Sequence, residues 1–127
     1  NTRVTLDLRY PVRYDVENFN KKLEEILAGY DLAITAKTNK TPHYVSPDDD
    51  LVKSLYAAYV KHTGDEVNKP FTIGGGTYAR IMSNAVAFGP NFPHRPDICH
   101  QPDEHIYLED FLKWIAIYAK AIYLLAK

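Results

Sequence analysis

The chain has 127 residues, a formal net charge of −1, 46% apolar and 24% charged residues, the make-up of an ordinary globular domain or a piece of one. That balance argues against a broad electrostatic grip on nucleic acid. No apolar run approaches the roughly 20 residues that cross a bilayer, because Lys113 and Lys120 interrupt the C-terminal one. The lone Cys99 excludes an intrachain disulfide, and a cytoplasmic location fits that usage.

The sequence opens Asn1-Thr2-Arg3, with no start methionine or signal peptide, which suits an excised fragment as well as a trimmed terminus. Val4, Leu6, Leu8 and Tyr10 alternate with polar residues until Pro11, the period of a strand with one buried face. Val16, Phe19, Leu23, Ile26, Leu27 and Tyr30 then recur at helical steps, with Asp15 as N-cap and Gly29 as stop. Leu32, Ile34 and Ala36 alternate again, so residues 3–37 read as strand–helix–strand.

A polar connector with Pro42 follows. Ser46, Pro47 and Asp48 to Asp50 predict a helix start, with Ser46 as N-cap, and Gly64 its end. Residues 70–73 read as a short extended segment running into Gly74-Gly75-Gly76, residues 77–83 as a helix, and Ala85 to Phe88 as a short strand. Residues 89–104 carry four prolines and no apolar period, so they form a loop. Leu108, Phe111, Leu112, Ile115, Tyr118, Ala119, Ile122 and Leu125 mark a long amphipathic helix. The expected fold class is therefore α/β.

Three places could carry chemistry. At Gly74-Gly-Gly-Thr-Tyr-Ala-Arg80, glycines let the backbone approach a ligand, the helix start favours an anion, Thr77 adds a hydroxyl and Arg80 a carboxylate fork. The bland alternative is a flexible strand-to-helix turn, and the P-loop signature is absent. At Cys99-His100-Gln-Pro-Asp103-Glu104-His105 every ligand type of a metal site occurs, without the helix-phased spacing of a metalloprotease motif. The alternative there is a loop histidine, with Asp103 and Glu104 capping the last helix and Cys99 a small buried side chain. Arg9 shares the polar face of its segment with Asp7, which suits an ordinary solvated pair.

Taken together, Gly74-Gly-Gly-Thr-Tyr-Ala-Arg80, Asn84-Ala-Val-Ala-Phe-Gly-Pro90, Phe92-Pro93 and His100-Gln-Pro-Asp-Glu104, in that order before a long helix, resemble the end of PepV-like zinc dipeptidases. Those belong to the group of zinc aminoacylases, carnosinases and desuccinylases. The resemblance runs from Leu6-Asp-Leu-Arg9 to the final Tyr-Leu-Leu. It implies that residues 1–41 are the end of a lid domain and residues 42–127 the C-terminal α/β part of a catalytic domain. It implies that His100 is the last ligand of a two-zinc site and that Arg9 holds the substrate's terminal carboxylate. Gly75, Gly76 and Thr77, with Arg80, would form a substrate-contacting turn. The other ligands and the general-base glutamate lie upstream in the family, so no catalytic residue is assigned here and the fragment by itself should be inactive. Two positions depart from the pattern, His94 and Ala79, where the family often has glycine.

The implied partners are a dipeptide or short peptide with a free C-terminus and the missing N-terminal part of the parent. Self-association through an exposed apolar face is a further expectation for a fragment; neither nucleic acid nor membrane is expected. The competing reading is a non-catalytic α/β module that binds an acidic ligand or a partner chain and is polar outside.

Overall fold

Three α-helices and one short 3-10 helix make up the regular structure of the described residues, 2–89 and 91–126, in the computed structural model. Asn1 and Pro90, both used in the sequence reading, lie outside them. The chain divides into two compact units, Asn1–Tyr44 and Val45–Lys127.

In the first unit, α1 spans Val16–Ala28. Asp15 caps it as expected: its carboxylate accepts from the Glu17 and Asn18 N–H groups, satisfying donors the helix leaves orphaned. The helix stops at Gly29, whose N–H reaches the Ile26 and Leu27 carbonyls. The left-handed residue that turns the chain away is Asp31, two positions later. Phe19, Leu23 and Leu27 are half-buried, and no residue of α1 is fully buried. Tyr10 ties the flanks down: its ring stacks on Phe19 at 5.8 Å and its hydroxyl donates to the Lys40 carbonyl at 2.9 Å.

The strand–helix–strand expectation, and with it the α/β class, is corrected here. No strand or sheet occurs among the described residues. Residues 3–10 and 32–36 have no ladder partner, and Val4 and Leu6 are 75% and 58% exposed. Alternation reports only that one face of a segment is apolar. A strand also needs a neighbour to accept and donate its backbone hydrogen bonds. The same correction applies to residues 70–73 and 85–88.

In the second unit, α2 spans Asp50–Thr63 and α3 spans Leu108–Leu125. Helix α2 begins four residues after the expected cap. Ser46 instead closes a turn, its hydroxyl accepting from the Asp48 N–H at 3.1 Å, and Asp49 takes the cap, its side chain accepting from the Leu51 N–H at 2.8 Å. Gly64 ends α2 with φ 69°, a conformation that side chains with a Cβ rarely adopt.

The core lies between α2 and α3. Ala58 and Ile117 are fully buried, with Phe92, Trp114 and Ala121 around them. Phe92, delivered by the proline-rich loop, stacks on Trp114 at 4.9 Å and on Tyr59 at 6.4 Å. Phe88 sets its edge against Trp114 and Tyr118, and the Tyr118 hydroxyl donates to the Phe88 carbonyl at 2.6 Å. Gly89 beside them has φ 88°, and a Cβ there would lie 2.6 Å from the Tyr118 hydroxyl and 3.0 Å from the Trp114 ring.

The long helix was expected, but its buried side is a different one. Trp114, Ile117 and Ala121 face the core, while Leu108, Leu112, Ile115 and Ile122 are more than half exposed. Helix α3 carries two apolar rows, and periodicity alone does not choose between them. The aromatic loop residues decide. No helix among the described residues is long and apolar enough to cross a membrane.

Candidate functional site

The loop that carries His100 is held at its base by α3. Phe92 anchors its start in the core. Three residues on, the Arg95 guanidinium donates through Nε to Asp110 at 2.7 Å and through Nη2 to Asp110 at 3.2 Å, and also to Glu109. Its plane lies 3.9 Å from the centre of the Tyr107 ring. A fork of fixed donors matched to a carboxylate, with a flat cation on an aromatic face, is a combination lysine cannot reproduce. Asp110 is buried, and the Arg95 hydrogen bonds hold its carboxyl below the usual carboxylate range. The same bonds, to Asp110 first and then to Glu109, hold the guanidinium above its ordinary value.

Between these ends the loop is a chain of turns. Gln101 donates to the Ile98 carbonyl and Glu104 to the Gln101 carbonyl. His100 is exposed, has φ 62°, and its backbone N–H donates to the Glu104 carboxylate at 3.2 Å. Asp103 shares the left-handed conformation at φ 62°. His105 pairs Nδ1 with the Asp103 carbonyl at 2.7 Å and sets its ring against Tyr107, centroids 5.2 Å apart. Glu104 therefore closes the His100 turn rather than capping the last helix, whose N-cap residue, Tyr107, makes no side-chain cap hydrogen bond. Cys99 is exposed, not buried: its sulfur accepts from the Asn91 side-chain amide at 3.2 Å and its N–H donates to Asp97.

At the triglycine turn, Gly74, Gly75 and Gly76 are exposed. Thr77 caps the 3-10 helix Tyr78–Ile81, its hydroxyl accepting from the Ala79 N–H at 3.3 Å. Arg80 folds back over Gly76, close enough that a Cβ there would meet Nη1 at 3.1 Å. Gly76, Thr77 and Arg80 are thus together, whereas His100 stands on another loop. Arg9, in the first unit, pairs with Asp7 at 3.2 Å on an exposed stretch, the solvated pair that alternation suggested.

As a metal site, the donors fit in part. The exposed imidazole of His100 is a proper ligand, but among the described residues no three His, Cys, Asp or Glu side chains gather to hold an ion. A catalytic zinc takes about three protein ligands; the His100 imidazole has the chemistry of one such donor, and the described residues do not bring three together. Sequence reasoning missed Arg95, Tyr107, Glu109 and Asp110 as a group. The available signal was the acidic pair in the first turn of α3, where the helix dipole favours carboxylates, but nothing local names Arg95 as its partner.

The model of the peptidase family M20/M25/M40 matches residues 5–124. The chain is 41% identical over 122 residues to a Bacillus subtilis (strain 168) protein named "Putative dipeptidase YtjP", covering 96% of this chain and 26% of that protein. It is 40% identical over 127 residues to a Staphylococcus epidermidis (strain ATCC 12228 / FDA PCI 1200) protein named "Putative dipeptidase", covering 97% of this chain and 26% of that protein. The chain thus spans about a quarter of the length of these relatives.

Proposed function

Because the chain belongs to the peptidase family M20/M25/M40, we propose that it is the C-terminal part of a zinc-dependent dipeptidase that hydrolyses short peptides with a free C-terminus. His100 carries the reading. It opens the His-Gln-Pro-Asp-Glu motif, lies within the matched residues 5–124, and presents an exposed imidazole from a turn closed by Glu104. The names of the relatives support a dipeptide substrate. Members of the family are typically metal-dependent, and two zinc ions is the number assigned by the resemblance.

When bound, the metal supplies the Lewis acidity that makes water a nucleophile near neutral pH. This chain's own contributions are narrower. His100 donates one neutral imidazole. The Gly75-Gly76-Thr77 backbone and Arg80 contact the peptide, and Arg9 takes its free carboxylate. With one metal ligand and no assigned base, the 127-residue chain alone turns over no dipeptide in this reading. The exposed Leu108, Leu112, Ile115 and Ile122 of α3 support membership of a larger core over a self-standing module, whose outer faces would be polar. The reading also places the protein in the cytoplasm.

The test is His100→Ala in the full-length protein, with bound zinc counted by atomic spectroscopy and dipeptide hydrolysis measured. The expected result is loss of one zinc per chain and of nearly all hydrolysis, with the fold kept, since an exposed loop side chain leaves no core cavity. His105→Ala is the control and should retain both. Loss on His105→Ala and retention on His100→Ala would overturn the assignment.

A further inference from the structure

Arg95 ties the start of the His100 loop to its end. Its guanidinium covers the Tyr107 ring at 3.9 Å and binds Asp110 at 2.7 and 3.2 Å and also Glu109. Phe92, three residues before Arg95, buries the loop's start against Trp114. Between the anchors, His100 and Asp103 both hold left-handed backbones without being glycine. Such conformations persist where the surroundings over-determine them. The turn bonds inside the loop are local and its residues largely exposed, so the anchors at its base supply the tie to the rest of the unit.

We propose that Arg95 is a positioning residue for His100: clamped between Tyr107 and the Glu109–Asp110 pair, it holds the loop in the one backbone arrangement that aims the imidazole at the metal. The proposal rests on the reading of His100 as a ligand. Arg95 itself touches no metal and no substrate in this scheme. A merely structural role, neutralising the buried Asp110, would be filled by any cation at that place. A positioning role needs the fork and the stacked plane together, because only these fix direction as well as charge.

The full-length protein separates the two. Arg95→Lys keeps a cation beside Asp110 but loses the fork and the flat face. Tyr107→Leu removes the stacking and leaves both ion pairs. Metal affinity is read by competition with a chromogenic chelator, and amide hydrogen exchange of residues 98–104 is read in the metal-free protein. We expect Arg95→Lys to weaken binding of one metal ion by about tenfold, the scale seen when a ligand's supporting partner is lost. Exchange at residues 98–104 should quicken, with the thermal midpoint nearly unchanged, and Tyr107→Leu should shift both loop readouts the same way by less. Arg95→Lys with affinity within about twofold of the parent would overturn the proposal. So would a loss of affinity that only follows a loss of global stability in both variants. His100→Ala in the same assay keeps the failures apart. If it leaves metal binding intact, the ligand assignment falls and takes the positioning role with it. If it abolishes one ion while Arg95→Lys binds normally, only the positioning role falls.

Discussion

Replacing Ile117 with alanine tests the register of α3. Ile117 has no solvent exposure and is enclosed by Ala58, Phe92, Trp114 and Ala121. The substitution removes three carbons, worth about 2.4 kcal/mol at ~0.8 kcal/mol per buried carbon. The stacked rings of Phe92 and Trp114 resist collapse into the space, which adds roughly 1 kcal/mol of cavity cost. The expected loss is about 3 kcal/mol, a large share of the stability of a small protein. Ile115→Ala is the comparison: Ile115 is 52% exposed on the other apolar row, and the loss there should stay below about 1 kcal/mol, since an exposed site leaves no enclosed cavity. Urea unfolding of the 127-residue chain, followed by the fluorescence of Trp114, its one tryptophan, measures both. Equal losses would refute the reasoning, because they would put both rows in equivalent surroundings.

Gly89→Ala should destabilise the same chain by about 2 kcal/mol or more, through an unfavourable positive φ and a Cβ driven against Tyr118 and Trp114; an unchanged urea midpoint would contradict this. Asp15→Ala removes the cap of α1 and should cost about 1 kcal/mol of local helix stability, seen as faster amide exchange at Glu17 and Asn18. The Tyr59–Asp65 hydrogen bond, 2.6 Å long, predicts two pH limits. The Asp65 carboxyl is lowered to about 2, first by the Tyr59 bond, so its contribution is present above its ordinary range and is lost as pH falls from near 4 toward 2. The Tyr59 hydroxyl is pushed up to about 12 by burial and then by Asp65, so its contribution is full below pH 10 and is lost as pH rises toward 12. Tyr59→Phe should flatten both limbs of the stability–pH curve, and unchanged limbs would count against the pair.

Local chemistry was legible where one residue settles the matter. Asp15 and Gly64 mark helix ends in the sequence and in the structure because capping uses neighbours along the chain. The segments around Leu6 and Ile34 were misread because their alternation is real but pairing is a property of two segments. The inner face of α3 was hidden because Phe88 and Phe92, on a separate loop, select Trp114 over Leu112 and Ile115. At the site, His100 and Gly76-Thr77 stood out through a multi-segment resemblance. Arg95 did not, since its meaning depends on residues twelve to fifteen positions away that only the folded loop brings to it.

The aromatic row has a consequence for how the second unit folds. A helix of the length of α2 is marginal alone in water, and it meets α3 only after residues 64–107 have closed between them. Closing so long a segment costs entropy before any long-range contact repays it. Phe88 and Phe92 shorten the search: they lie much nearer to Trp114 and Tyr118 in sequence than α2 does. Ring contacts from this loop onto α3 are therefore expected to form first and to offer α2 a prepared apolar surface. On that order of events, Phe92→Leu slows folding, whereas Val52→Ala chiefly speeds unfolding.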